Sequence, residues 1–402
     1  MRFLFQLQEK IPIKEGIEGH RTILREIYRA GHISLQDLSY QTKIPIPILS
    51  KVVNFLIEKE VFDRIPEGIL YTEKGMKFIE QELQFYGFGI SECDECDSLP
   101  IWISPRWEDL LDYLNQIFEQ RPKVNTQLDQ AYADAETSLQ RALLLYKNGA
   151  LEGKSIGFLG DDDYTSMAVA ELYRGFFPEE PHLIPKQIVV FDIDDRLLSN
   201  IQENSKWKSS EFITHHWDYR TPAPIEYKNY FNTIMVDPPY SFSALQLVLS
   251  RAIDLLVPFP GTEIYLSFAH RSPEEMWKMQ ELFTQMGLAI VEIYPRFNYY
   301  EGAQILGNIT QLYRLITTKR TFSKSEETLI RVSSDKTWET PIYTGEITPT
   351  CRNYVCKSCK KTIFIGKNAQ IHTIEELMEK GCPHCGSHDG FELEGKIYED
   401  KN

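Results

Sequence analysis

Apolar and polar positions change rhythm along the chain. From residue 17 to 83 the apolar residues recur at helical spacing in three stretches, and "FDRIPEGILYTEKG" then reads as a two-stranded hairpin. That order predicts a winged helix-turn-helix over residues 1–90. Residues 91–150 form a bridge, helical near residues 107–119 and again in "TQLDQAYADAETSLQRALLLYKNGALEGK", where Gly149 is a stop signal. From 151 to 320 short apolar runs alternate with amphipathic segments. The runs are 155–159, 187–191, 231–236, 263–268, 289–294 and 310–317, with a weaker one at 211–215. Runs of this length separated by helical segments predict a doubly wound α/β sheet covered on both faces. The last two are joined by too few residues for a crossover helix, so they pair as an antiparallel terminal hairpin. Residues 321–350 are polar and read as a linker.

Residues 351–402 change the picture. Cys356-x-x-Cys359 and Cys382-x-x-Cys385 have the spacing of a small zinc ribbon, and four thiolates complete a tetrahedral structural Zn²⁺ site. Cys93 and Cys96 in "SECDECDS" are either half of a second metal site or surface thiols, and Cys351 has no obvious partner. Net charge is −15 over 402 residues. An acidic surface repels phosphates and draws cations. The third helix of the winged-helix region sets Lys51 and Lys59 against Glu58 and Glu60, without a basic stripe, which also counts against nucleic acid as a partner. No apolar run has membrane-spanning length and no cleavage site follows the start, so a cytoplasmic protein without a membrane partner is expected.

A parallel sheet ending in an antiparallel hairpin resembles the S-adenosylmethionine-dependent methyltransferase fold. In such folds the ligand lies beyond the carboxyl ends of the strands. Acids occupy those ends here. "GFLGDDDY" gives Gly157 and Gly160 for close backbone approach, followed by Asp161, Asp162 and Asp163. "VVFDIDDR" places Asp192 for ribose hydroxyls, with Asp194 and Asp195 as helix caps. "HHWDYR" places Asp218 for an adenine amino group, and "MVDPPYS" supplies Asp237, Pro238, Pro239 and Tyr240. Asp-Pro-Pro-Tyr is the motif by which amino methyltransferases hold a nitrogen nucleophile. The carboxylate and the first proline's carbonyl accept N–H bonds, the prolines stiffen the turn, and the ring packs on the amine. Three aspartates at the turn would repel the carboxylate of an ordinary methyl donor. They would attract the same donor without its carboxylate, whose tail is then an aminopropyl ammonium.

With "GDDD", "FDIDDRLL", "DPPY" and "RFNYYEG" in this order behind a winged-helix start, the chain resembles the branched-chain polyamine synthases, the N4-bis(aminopropyl)spermidine synthases of thermophiles. The resemblance implies an aminopropyltransferase that uses decarboxylated S-adenosylmethionine. The acceptor is the central secondary amine of spermidine, first giving N4-aminopropylspermidine and then a quaternary ammonium, with methylthioadenosine released. It places the catalytic aspartate among Asp161–Asp163, with Asp162 and Asp163 both open as the base. Asp237 is then the amine holder and Tyr240 the face for the developing ammonium. Tyr299, Tyr300 and Glu301 are the residues offered to close over the cation. The resemblance and the winged helix together imply a homodimer. The ribbon is a departure from the family pattern and leaves room for a different acceptor amine. The rival reading, an S-adenosylmethionine-dependent amino methyltransferase acting on nucleic acid, needs a glycine-rich first turn and a basic face, and this sequence has neither.

Overall fold

The computed structural model describes the chain apart from residues 1, 43, 86–102, 104–106, 177–184, 206, 208–210, 302–308, 323–329, 334, 344–345, 347–350, 367–368, 373, 389 and 398–402. Cys93 and Cys96 therefore lie outside the described residues. Two compact units are present: Met1–Val124 with Gln130–Thr340, and Asn125–Asp129 with Pro341–Asn402.

The first unit opens with helices Arg2–Lys10, Gly16–Ala30, Leu35–Thr42 and Ile46–Glu58. A three-stranded antiparallel sheet orders His32–Ile33, Gly68–Tyr71 and Phe62–Ile65, and helix Glu73–Leu83 follows. Leu24, Ile27, Leu38, Leu49, Val53 and Leu56 form its core. Three helices followed by a hairpin are the elements expected from the sequence, and helix Arg2–Lys10, strand His32–Ile33 and helix Glu73–Leu83 are added to them.

The larger part of the unit is a seven-stranded sheet. Its order is Phe212–His216, Gln187–Asp192, Ser155–Leu159, Thr233–Val236, Glu263–Ala269, Ile309–Thr317 and Leu288–Tyr299. The first five run parallel and the last two close the edge as an antiparallel pair. Every residue of Ser155–Leu159 and Glu263–Ala269 is buried, because helices cover both faces; this is why these strands read as unbroken apolar runs. The edge strand Leu288–Tyr299 is longer than its apolar run of 289–294 and is bulged against its neighbour between Thr310 and Leu312.

Two segments depart from the sequence reading. Helix Ala135–Lys147 starts only at the Asp134 cap, whose carboxylate accepts the N–H of Thr137. Part of the expected linker is a packed strap. Arg251, fully buried in helix Phe242–Leu255, donates to the carbonyls of Ser333 and Lys336, and Arg331 pairs with Asp254 at 2.7 Å. A buried guanidinium needs acceptors for its donors, and this segment supplies two carbonyls beside that of Tyr219, which accepts from Nε at 2.9 Å.

The second unit is a three-stranded antiparallel sheet of Thr362–Ile365, Cys351–Cys356 and Phe391–Ile397 with helix Ile374–Lys380. Its small core gathers Cys356, Ile363, Ile365, Leu377 and Cys382.

Candidate active site

The parallel strands end at one edge of the sheet, and their carboxyl ends deliver the acids. Ser155–Leu159 leads into Gly160, which turns at φ +76° and donates its N–H to the Phe191 carbonyl at 3.0 Å. A Cβ there would meet the Asp237 carbonyl at 3.1 Å, so glycine permits both the turn and the approach of the Asp-Pro-Pro-Tyr strand end. Gly157 has a different role from the expected ligand contact. It lies mid-strand, where a Cβ would strike Ile234 at 2.9 Å, so its smallness serves interior packing.

The three aspartates of the turn have three environments. Asp161 caps helix Thr165–Phe176, accepting from both the backbone N–H and the hydroxyl of Ser166. Burial pushes it up to about 7, against those hydrogen bonds. Asp163 is buried and fully engaged. Its Oδ1 accepts the N–H of Ala133 at 2.5 Å, and its Oδ2 accepts from Arg141 Nη1 at 2.5 Å. Asp162, between them, is half-buried, and among the described residues no hydrogen bond reaches its carboxylate. Burial holds it well above the ordinary carboxylate range, and the charges of Asp163, Asp237, Asp192 and Asp161 add to that.

Asp237 ends strand Thr233–Val236. Its Oδ2 accepts from Arg141 Nη2 at 3.1 Å and from the Tyr300 hydroxyl at 2.6 Å. Burial and the neighbouring Asp163 push it up, and Arg141 works against them. Pro238 is buried behind it. The Tyr240 ring stands edge-on to Phe268 at 5.4 Å, and its carbonyl accepts from Arg271. Asp192 is raised to about 6 by burial and accepts the N–H of Asp194, which in turn caps helix Asp195–Asn204. Asp218 lies in the loop after Phe212–His216, its carboxylate in the fork of Arg220 at 2.7–3.0 Å.

Of the three residues in "YYE", the structure brings one into the cluster. Tyr300 is 2% exposed and bonds both Asp237 and Arg141. Tyr299 is 46% exposed and Glu301 is at the surface, consistent with the alternation of an extended segment.

The sequence reading missed Arg141. It lies on the buried face of helix Ala135–Lys147 beside Ser138, Ala142 and Leu145, with 1% exposure. A charge in the apolar stripe of an amphipathic helix was the available signal. Arg121 was missed as well. It stacks over Phe118 and Tyr132 at 4.3 and 4.5 Å and donates to the Ala133 carbonyl at 2.9 Å.

The Sγ atoms of Cys356, Cys359, Cys382 and Cys385, all in the second unit, lie within 4.8 Å of one another. Cys356–Cys385 are 3.8 Å apart and Cys359–Cys382 3.7 Å. Thiolates about 2.3 Å from a tetrahedral zinc stand about 3.8 Å apart, so the donor set fits that ion.

Carboxylates crowd around one buried guanidinium at the carboxyl edge of this sheet. The profile of the branched-chain polyamine synthase A C-terminal domain matches residues 109–351. The chain belongs to the branched-chain polyamine synthase family. It is 34% identical to an uncharacterized protein of Methanocaldococcus jannaschii over 93% of this chain and 89% of the relative. It is 30% identical to the N(4)-bis(aminopropyl)spermidine synthase of the same organism, over 66% of this chain and 72% of that enzyme. The family's fold is seen in the branched-chain polyamine synthase from Thermus thermophilus, whose structure is a complex with N4-aminopropylspermidine and 5'-methylthioadenosine. The TM-score is 0.50 at 19% identity, covering 85% of this chain and 97% of that one.

Proposed function

We propose that this chain moves aminopropyl groups from decarboxylated S-adenosylmethionine to the secondary amine of spermidine, giving N4-aminopropyl and N4-bis(aminopropyl) products and methylthioadenosine. The observation that carries the reading is Asp162: a carboxylate with no hydrogen-bond partner among the described residues, beside four other aspartates. Like charges packed this closely are tolerated where a cation joins them. The decarboxylated donor brings two positive charges, on sulfonium and ammonium, and lacks the carboxylate that this turn would repel.

In the step, the amine nitrogen forms a bond to the aminopropyl carbon beside the sulfonium. The carbon–sulfur bond breaks, sulfur keeps the pair, and neutral methylthioadenosine leaves. A secondary aliphatic amine of pKa about 10 arrives protonated at neutral pH, so its proton must be taken. Asp162 is the base in this reading, because Asp161 caps a helix and Asp163 is tied to Arg141. Asp237 and the Pro238 turn hold the amine, and Tyr240 offers its face to the ammonium that forms. Asp192 takes the ribose hydroxyls. Asp218 reaches adenine through whatever acceptor capacity the Arg220 fork leaves.

The acceptor requires a direct test, because Methanocaldococcus jannaschii carries both the N(4)-bis(aminopropyl)spermidine synthase and the uncharacterized relative. Incubation with a series of linear polyamines and the decarboxylated donor, read by mass spectrometry, identifies it. Gain of one or two aminopropyl units on spermidine supports the reading; gain only on another amine moves the acceptor but keeps the chemistry. Zn²⁺ bound by Cys356, Cys359, Cys382 and Cys385 is part of the same proposal, as a structural ion that holds a unit with a small core together. The homodimer implied by the family resemblance is tested by sedimentation. Among the described residues no helix is long and apolar enough to cross a membrane.

A further inference from the structure

Arg141 is not among the motifs of the sequence, yet it joins more of the site than any aspartate does. Each of its five N–H donors has an acceptor. Nε donates to Asn298 Oδ1 at 2.8 Å, Nη1 to Asp163 Oδ2 at 2.5 Å and Thr165 Oγ1 at 3.3 Å, and Nη2 to Asp237 Oδ2 at 3.1 Å and the Tyr300 hydroxyl at 2.8 Å. Its partners come from four places in the chain: the edge strand with Tyr300 just after it, the GDDD turn, the start of helix Thr165–Phe176 and the Asp-Pro-Pro-Tyr strand end. Asn298 is itself fixed, donating to Thr310 Oγ1 at 2.9 Å across the terminal hairpin.

We infer that Arg141 is a positioning residue of the amine site, a fixed positive bridge that aligns Asp237 beside Asp163 and leaves Asp162 outside the bridge. The inference rests on the aminopropyl-transfer reading and adds to it a residue whose charge decides at which pH the amine holder works.

The physical argument is one of competition. Asp237 faces Asp163, Asp162, Tyr240 and Tyr300 as well as Arg141. Without the guanidinium, Asp237 and Asp163 would meet with nothing positive between them, and Asp237 would take up a proton more readily. A protonated Asp237 offers the incoming ammonium a weaker acceptor. Lysine cannot replace the bridge, because a point charge does not reach two carboxylates, two hydroxyls and an amide in one plane. Arg141 touches neither substrate nor leaving group in this scheme, and its effect travels through Asp237.

The test is the pH profile of kcat/KM for the amine, in the full-length enzyme and in Arg141→Met, Arg141→Lys and Tyr300→Phe. Loss of an opposite charge at this distance moves a carboxyl by about 1–3 pH units. The acidic limb of Arg141→Met should therefore move up by that amount. Its rate should fall about 10- to 1,000-fold at neutral pH and recover much of the loss in alkaline buffer. Arg141→Lys should move the limb less. Tyr300→Phe, which removes one donor to Asp237 and keeps the ring, should shift it in the same direction by a smaller step. Methylthioadenosine affinity, measured by calorimetry, should stay within a fewfold of the parent, because the bridge lies on the amine side.

A pH-independent loss in Arg141→Met, with an unmoved limb in Tyr300→Phe, would overturn the inference. If Arg141→Met does not fold, the Tyr300→Phe limb decides alone. A parent enzyme that transfers no aminopropyl group at all refutes the underlying reading instead, so the two failures are told apart.

Discussion

Replacing Asp162 by Asn removes one charge and leaves the turn intact. The side chains are nearly isosteric, and among the described residues the Asp162 carboxylate makes no hydrogen bond that the change could break. The chemical cost should nevertheless be large. An aliphatic amine of pKa about 10 is neutral in about one molecule per thousand at pH 7. A positioned general base contributes about 10²- to 10⁴-fold. Loss of the base should thus lower kcat by about 10³, or about 4 kcal/mol of barrier. The deficit should shrink as pH rises toward the amine's own pKa, because solvent then deprotonates the nucleophile. Stability should move the other way. Asp162 titrates well above the ordinary carboxylate range in the folded chain, so it binds more protons folded than unfolded, and its contribution falls as pH rises above that ordinary range. The Asn variant escapes that loss and should melt no lower than the parent at neutral pH. Single-turnover release of methylthioadenosine, followed by chromatography across pH and beside a melting curve, reads both effects. An Asp162→Asn enzyme of near-parental rate, with Asp163→Asn inactive and still folded, would place the base on Asp163 and refute the reasoning.

Other expectations follow from the same geometry. Asp237→Asn should raise KM for the amine by about 10- to 100-fold, by loss of a charge-assisted hydrogen bond, while leaving methylthioadenosine affinity near the parental value; an unchanged KM would remove Asp237 from the role of holder. Burial raises Asp192 to about 6, so its folded form keeps a proton that the unfolded chain has released, and its contribution to stability falls between pH about 4 and 6. Asp192→Asn should flatten the decline of melting temperature over that interval in calorimetry; parallel curves would contradict it. Gly160→Ala forces a Cβ into φ +76° and to 3.1 Å from the Asp237 carbonyl. It should cost about 1–2 kcal/mol of stability and displace the turn, seen as a lower melting temperature with reduced kcat; parental values in both would show that the turn tolerates a side chain. Metal analysis should find one zinc per chain, lost in Cys359→Ser together with the thermal transition of the second unit; a metal-free chain with the same transition would make the cysteines simple core thiols.

The sheet was legible because burial on both faces leaves its strands as short apolar runs, and six of the seven lie within two residues of where the pattern places them at both ends. The edge strand escaped at one end. Its residues from Pro295 to Tyr299 mix exposed and buried positions around a bulge, so no clean period marks them. The strand-end acids were legible because they follow each run directly. Their individual environments were not, since Asp161, Asp162 and Asp163 differ only in what the fold brings to them: Ser166 to the first and Arg141 to the third. Arg141 comes from a helix outside the strand pattern, and contact with Asp163 and Asp237 spans 22 and 96 residues of sequence. Gly157 misled in the opposite sense. A glycine near a turn suggests ligand approach, but the packing of Ile234 explains this one.

Aminopropyl transfer is tested most directly by a product assay with spermidine, offering decarboxylated and ordinary S-adenosylmethionine in parallel and reading both products by mass spectrometry. The carboxylate cluster predicts one or two aminopropyl units added to spermidine, with an equal amount of methylthioadenosine, from the decarboxylated donor alone. Methylated product from the ordinary donor, with the decarboxylated one left unconsumed, would contradict it.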